Sequence, residues 1–228
     1  MKILAIDTVA ELCAACVFDA ETVGELGRAV LEVGKGHAEH IMAVVEEALK
    51  AASLEYAGLG ALAVSVGPGS FTGVRVGVAA ARGFALALKI PAIGVTALEA
   101  LAAEARERFP GRAVIAVIGN RAEALYVQAF KADGAPAGAP ALASAEAIAV
   151  EAAETRPVLV GSGARHVAAA AGSNVRFDLA AEAATADITT YARIAARRGA
   201  GGEKPKPLYL REPDAKPQSG FALPRRAE

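Results

Sequence analysis

The sequence has little of the residue types on which metal, redox and nucleophilic sites depend. It contains no tryptophan, two cysteines, two methionines and three histidines, and aromatic residues make up 5% of the chain. The formal net charge of −1 gives no overall reason to expect binding to nucleic acid or to an acidic membrane. No uninterrupted apolar run approaches the roughly 20 residues of a membrane span, and the N-terminal apolar run ends early, at Asp7. We therefore expect a soluble, cytoplasmic protein that does not bind a membrane.

The two cysteines form a Cys-x-x-Cys, Cys13 and Cys16, within the apolar stretch LCAACVF. In redox or zinc sites this spacing belongs to a tight turn or to the start of a helix. Here the pattern predicts a strand, on which residues three apart point to opposite faces. We expect two ordinary buried thiols.

The chain is rich in apolar residues, at 54%, which is enough to bury a sizeable core. Alternating and helical apolar periodicities predict an α/β arrangement in its first half. The predicted elements are strands at 2–8, 11–19, 23–31, 61–66 and 91–95 and helices at 37–52, 72–88 and 98–109.

The second half of the chain resembles the first. Residues 3–18 are echoed by 114–130 with one extra residue, and 157–164 repeat the plan of an apolar strand that runs into glycines. Chance similarity is the alternative to a true repeat, because each match is weak. Taken as real, the repeat predicts two related lobes with mixed sheets flanked by helices, at 1–109 and 110–202, followed by an extended proline-rich tail at 203–228.

The stretch 67–77, GPGSFTGVRVG, lies between a predicted strand and a predicted helix. Exposed amides at such a position can hold a phosphate. The stretch lacks the Gly-Lys-Ser/Thr ending of a P-loop, and the turn after Asp7 has no glycine. We therefore predict no cofactor and at most a vestigial nucleotide site at Asp7, Thr8, Gly67, Gly69 and Ser70.

No catalytic set is recognisable. His37 and His40 are three residues apart, whereas the usual helical zinc pair is four apart, so we predict surface histidines and no metal site. Ser70 follows a strand, but its neighbours do not match Gly-x-Ser-x-Gly. We predict no catalytic residue.

The glycines of this stretch have a second interpretation. If a helix begins near Thr72, then four small residues lie on one face and allow close approach of another element: Gly73, Gly77, Ala81 and Ala85. That element is either a helix of a partner or the protein's own sheet, and the spacing alone does not decide between them.

Five segments of the sequence resemble a known family. They are 1–8 (MKILAIDT), 36–39 (GHAE), 67–77, 93–95 (IGV) and 207–211 (PLYLR). They are similar to the TsaB (YeaZ) family of glycoprotease-like proteins, the dimerisation subunits of the bacterial machinery that makes threonylcarbamoyladenosine in tRNA. The resemblance implies a duplicated, two-lobed actin-like (ASKHA, RNase H-like) α/β fold and a non-catalytic role beside a TsaD-type threonylcarbamoyltransferase.

The resemblance also implies partners and a pairing surface. The expected partners are the TsaD-type paralogue as a heterodimer, a TsaE-type ATPase, a second copy when the chain is alone, and tRNA indirectly. Carried onto this chain, the pairing helices are 37–52 and 72–88, with interface residues Ile41, Val44, Val45, Ala48, Gly73, Val74, Gly77 and Ala81. The alternative function is an enzyme of the actin-like fold, either an ATP-dependent kinase or a metallopeptidase-like protein.

Overall fold

The computed structural model describes residues 1–173, 175–199 and 201–210, which form two mixed β-sheets. The strands of the first sheet are β1 (Lys2–Asp7), β2 (Leu12–Asp19), β3 (Gly24–Glu32), β4 (Ala61–Ser65) and β5 (Ala92–Val95), and those of the second are β6 (Val114–Ile118), β7 (Leu125–Phe130), β8 (Ala141–Ala143) and β9 (Val158–Val160). The first sheet has the order β3-β2-β1-β4-β5 and the second has the order β8-β7-β6-β9.

The two sheets share one topology. Three antiparallel strands, β1-β2-β3 or β6-β7-β8, are extended by a parallel strand beside the first of them, β4 or β9. The echo between residues 3–18 and 114–130 therefore corresponds to equivalent hairpins, and the predicted duplicated actin-like α/β fold is confirmed.

Six α-helices flank the sheets. They are α1 (His37–Ala51), α2 (Phe71–Leu88), α3 (Ala97–Arg108), α4 (Ala145–Ala152), α5 (Ala164–Ala170) and α6 (Ile188–Arg198). Side-chain caps fix several N-termini, because Ser70, Thr96, Ser144 and Asp187 each accept a hydrogen bond from a backbone N–H in the first turn. Asp187 and Gly199 bound α6.

Strand β1 lies at the centre of the main core. Ile3, Leu4, Ala5 and Ile6 are fully buried, and since successive residues point to opposite faces, both faces of the sheet are covered. Helices α1 and α2 pack against this sheet, and so does α6, although its residues follow the second sheet in the sequence. The predicted division at residue 109 therefore falls between the sheets, but α6 joins the core of the first one.

The cysteines lie where the strand pattern predicts. Both are fully buried in β2 and unpaired. Burial raises the pKa of Cys13 to about 11 and that of Cys16 to about 12, so neither thiol is activated at neutral pH.

The tail returns to the first sheet. The N–H of Leu208 donates to the carbonyl of Val66 at 2.8 Å, and Pro205 is buried beside Gly94. Residues 203–210 contain no helix or strand, and the extended tail at 203–228 stays a prediction. The rest of the predicted tail, 211–228, lies outside the described residues.

Candidate functional site

The glycine turn before α2 packs directly on the first hairpin. The N–H of Ser70 donates to the carbonyl of Val9 at 2.7 Å, and a Cβ added at Gly69 would overlap the same carbonyl. The N–H of Gly73 donates to the hydroxyl oxygen of Ser70 at 3.2 Å. The N–H groups of Ser70 and Gly73, two of the amides that could hold a phosphate here, are thus bonded within the chain.

Asp7 and Thr8 are buried on opposite faces of the sheet. The Thr8 hydroxyl donates to the carbonyl of Gly73 at 2.7 Å, which ties β1 to α2. Asp7 accepts from the Thr185 hydroxyl at 2.5 Å and from the N–H of Val9 at 3.1 Å. Burial raises the pKa of Asp7, although these hydrogen bonds oppose the shift. Both residues act within the core.

A cleft of about 1050 Å³ lies beside this turn and between the two sheets. Gly69 and Ser70 line it, whereas Asp7, Thr8 and Gly67 do not. None of the described residues that line the cleft is Lys or Arg, and five carboxylates face it, from Glu11, Glu32, Glu104, Glu182 and Asp187. The phosphates of a nucleotide would meet unfavourable charge there.

The histidines differ from the sequence-based expectation in one respect. His37 is buried rather than on the surface, and its Nε2 lies 2.9 Å from the carbonyl oxygen of Ala10. This contact fixes the start of α1 against the first hairpin. Among the described residues, no group of three or more His, Cys, Asp or Glu could hold a metal ion.

The eight residues assigned to the pairing surface are all buried within the chain, which corrects that assignment. They are Ile41, Val44, Val45, Ala48, Gly73, Val74, Gly77 and Ala81. The small-residue stripe of α2 packs on the protein's own strand, because a Cβ at Gly73 would overlap the carbonyl of Thr8 and one at Gly77 would lie 2.5 Å from its hydroxyl. The four-residue spacing of the small residues predicted a close contact of α2, but it did not show which element lies against the helix.

The opposite faces of the same two helices are exposed and contain large apolar side chains. Met42 of α1 is 48% exposed, and Phe71 and Leu86 of α2 are 42% and 81% exposed. Small exposed residues separate them, including Ala43, Ala79, Gly83 and Ala87. Sequence reasoning missed these residues. The signal for Leu86 is its position on α2, because it lies four residues after Arg82 and outside the small-residue stripe.

Charge is divided between the two exposed faces. On α1 the exposed Glu39, Glu46 and Glu47 outnumber the exposed Lys50, whereas the exposed charged residues of α2 are Arg75 and Arg82. Tyr209 of the tail extends the α2 face, with its ring 5.2 Å from that of Phe71. We call the exposed sides of α1 and α2 the helical face.

Helix α2 is long and apolar enough to cross a membrane by length and composition alone, with a mean hydropathy of 1.3 over 18 residues. Only 28% of those residues are buried. Because Gly73 and Gly77 fix the helix to β1, its apolar outer side is a feature of the surface of the folded protein.

Comparisons with known proteins agree with this fold. The family model for tRNA N6-adenosine threonylcarbamoyltransferase (TsaD) matches residues 31–157. The Escherichia coli tRNA threonylcarbamoyladenosine biosynthesis protein TsaB is 35% identical over 134 residues, 58% of this chain and 56% of that protein. The alignment thus spans little more than half of that relative.

Two further relatives match over nearly the whole chain. An uncharacterised protein of Mycobacterium tuberculosis is 32% identical over 219 residues, 94% of each chain. The structure of YeaZ from Pseudomonas aeruginosa superposes with a TM-score of 0.76 at 27% identity, covering 92% of this chain and 99% of that one. The chain therefore belongs to the TsaD family of threonylcarbamoyladenosine proteins, on its TsaB (YeaZ) branch.

Proposed function

We propose that the chain is a non-catalytic subunit that pairs with a TsaD-type threonylcarbamoyltransferase, and that the pair forms N6-threonylcarbamoyladenosine next to the anticodon of tRNA. The helical face is the observation that carries the proposal. An exposed apolar helix side on an otherwise well-packed α/β protein is typical of a surface that is buried in a complex.

Three features favour a non-catalytic role. Asp7 and Thr8 are buried and hydrogen-bonded inside the core, the N–H of Ser70 is bonded to the first hairpin, and the cleft is lined by carboxylates. These features argue against the alternative of an actin-fold kinase, since a kinase must hold the phosphates of ATP. The similarity to the Escherichia coli tRNA threonylcarbamoyladenosine biosynthesis protein TsaB supports a role in making this nucleoside.

The helical face supports a homodimer when the chain is alone. In a twofold dimer the same patch meets itself, so the acidic side of α1 can lie against the basic side of α2 from the second copy. Pairing with the TsaD-type protein would use the same face and exclude the homodimer. A TsaE-type ATPase and tRNA would then meet the assembled pair in the cytoplasm.

The test is co-purification of the TsaD-type paralogue with a tagged chain that contains Leu86→Glu. A carboxylate at this apolar position would have to be buried unpaired in the interface, so we expect at least about tenfold weaker pairing. Val150→Glu is the matched control, because Val150 is also an exposed apolar helical residue, at 77%, but lies on α4 of the second lobe.

The second readout is the modified nucleoside itself. In cells that lack the natural protein, the Val150→Glu chain is expected to restore normal threonylcarbamoyladenosine in tRNA, measured by mass spectrometry, and the Leu86→Glu chain is not. Circular dichroism establishes that both variants fold. Normal modification in cells without any form of the protein would refute the proposed function.

A further inference from the structure

A second cavity, of about 310 Å³, lies between α3, α6 and the turn that follows β7. It shares no lining residue with the cleft described above. Its apolar wall consists of Ala102, Ala103, Phe130 and Ile194. Its polar wall contains three arginines and one carboxylate, from Arg106, Arg197, Arg198 and Glu99. The volume is at the lower end of the range for small-molecule sites.

The turn after β7 holds Arg106 in place. Its Nη2 donates to the carbonyl of Asp133 at 3.0 Å, and a Cβ added at Gly134 would overlap the guanidinium group. Gly134 also has a φ of +88°, a conformation that favours glycine. Arg106 extends from α3 to this turn, so its guanidinium group is positioned by both parts of the chain.

The other two arginines differ in how they are used. Arg198 donates to Glu99 at 2.5 Å and to the carbonyl of Gly94, so its charge is partly balanced. Arg197 donates only a long hydrogen bond, 3.4 Å, to the carbonyl of Arg193. Among the described residues, neither Arg106 nor Arg197 forms an ion pair.

We propose that this cavity, which we call the arginine pocket, binds a small phosphate monoester with a planar or apolar body. Arg106 and Arg197 bind the phosphate, and the body lies against Phe130, Ile194 and the alanines of α3. The three guanidinium groups and one carboxylate leave a net charge of about +2, which matches a phosphate monoester of about −1.5 to −2 at neutral pH better than a monocarboxylate.

The pocket also joins the two halves of the molecule. Helix α6 packs on the first sheet, whereas α3 packs on the second sheet, to which Phe130 belongs, and Gly134 lies in the turn after β7. A ligand bound there would therefore contact both, and would stabilise their relative position by binding only the folded chain.

The experiment is isothermal titration calorimetry of the full chain with phenyl phosphate and with AMP, which share the phosphate monoester but differ in the ring. We expect saturable one-to-one binding of at least one of them and none of adenosine, which lacks the phosphate. Arg197→Ala should weaken the binding by about tenfold or more, since it removes a charge-assisted hydrogen bond. Arg197 is exposed and forms no ion pair among the described residues, so the variant is expected to fold.

Arg108→Ala is the matched control, because Arg108 is an exposed arginine of α3 that does not line the pocket. It should leave the affinity unchanged. Two results would overturn the proposal: no binding of either phosphate monoester at millimolar concentration, or binding that Arg197→Ala and Arg108→Ala affect equally. The second result would place the ligand elsewhere on the protein.

Discussion

At the scale of single residues, Asp7 is the feature that most departs from an ordinary protein interior. It is 2% exposed, no cation pairs with it among the described residues, and its partners are the neutral Thr185 hydroxyl and the N–H of Val9. The Thr185 oxygen lies 2.6 Å from the hydroxyl of Tyr191, so β1 is linked through this network to α6. The acid that ends β1 therefore serves to hold α6 on the sheet.

The raised pKa of Asp7 predicts a pH dependence of stability. Between the unfolded pKa, near 3.8, and the higher folded one, the native state binds more protons than the unfolded state. Stability should therefore fall as the pH rises through this interval. In Asp7→Asn this contribution is absent, so the free energy of unfolding of the wild type, relative to the variant, should decline from about pH 4 upwards. Urea denaturation across pH 4–7 measures this difference. If the free energies of unfolding of the two proteins changed in parallel with pH, the raised pKa of Asp7 would be contradicted.

At the scale of elements, the contact between α2 and β1 explains the most specific motif in the sequence. Gly73 lies where any side chain would overlap the carbonyl of Thr8, and the Thr8 hydroxyl donates to the carbonyl of Gly73 at 2.7 Å. The glycines serve the fold by letting the helix approach its own sheet. By fixing α2 in this way, they also determine which of its sides faces solvent.

A pair of glycine substitutions in α2 tests this contact. Gly73→Ala should destabilise the protein by about 2 kcal/mol or more, because the helix must move away from β1. Gly83 is the matched position, exposed in the same helix with nothing within 4 Å of an added Cβ. Gly83→Ala should stabilise by about 0.5–1 kcal/mol through helix propensity. Denaturant midpoints by circular dichroism give both values, and equal effects would exclude a special contact at Gly73.

Elements were predictable from the sequence, but their partners were not. Periodicity and turn residues predicted the strands of the first sheet and the helices α1, α2 and α3 within one or two residues. The spacing of Gly73 and Gly77 gave a shared helix side without saying what lies against it. Helix α4, at Ala145–Ala152, has no counterpart among the predicted elements because alanine-rich stretches lack a clear periodicity.

The arginine pocket could not be found in the sequence for a related reason. Its residues come from 99–106, 130–134 and 194–198, which are brought together because α3 packs on β7 and α6 packs on α3. Single-sequence patterns describe neighbours within an element, whereas this site depends on three distant segments. The same holds for the contact between Tyr209 and Phe71.

At the scale of the whole molecule, the two large surfaces differ in charge and in composition. The cleft between the sheets is lined by carboxylates, whereas the helical face is apolar with an acidic side on α1 and a basic side on α2. A face with both signs of charge can complement itself under twofold symmetry, and the cleft cannot. The proposed pairing therefore leaves the cleft free and uses the opposite charges of α1 and α2.

This division predicts how salt and charge reversal affect the homodimer. Arg82→Glu removes an attraction to the acidic α1 side of the second copy and introduces a repulsion, so we expect about fivefold weaker dimerisation at low salt. The difference should shrink toward 1 M salt, where the screening length is about 3 Å. Arg176→Glu is the control, because Arg176 is also an exposed arginine but lies in the second lobe. Sedimentation equilibrium measures the dissociation constants, and an Arg82→Glu constant that equals the control at every salt concentration would show that the basic side of α2 takes no part in pairing.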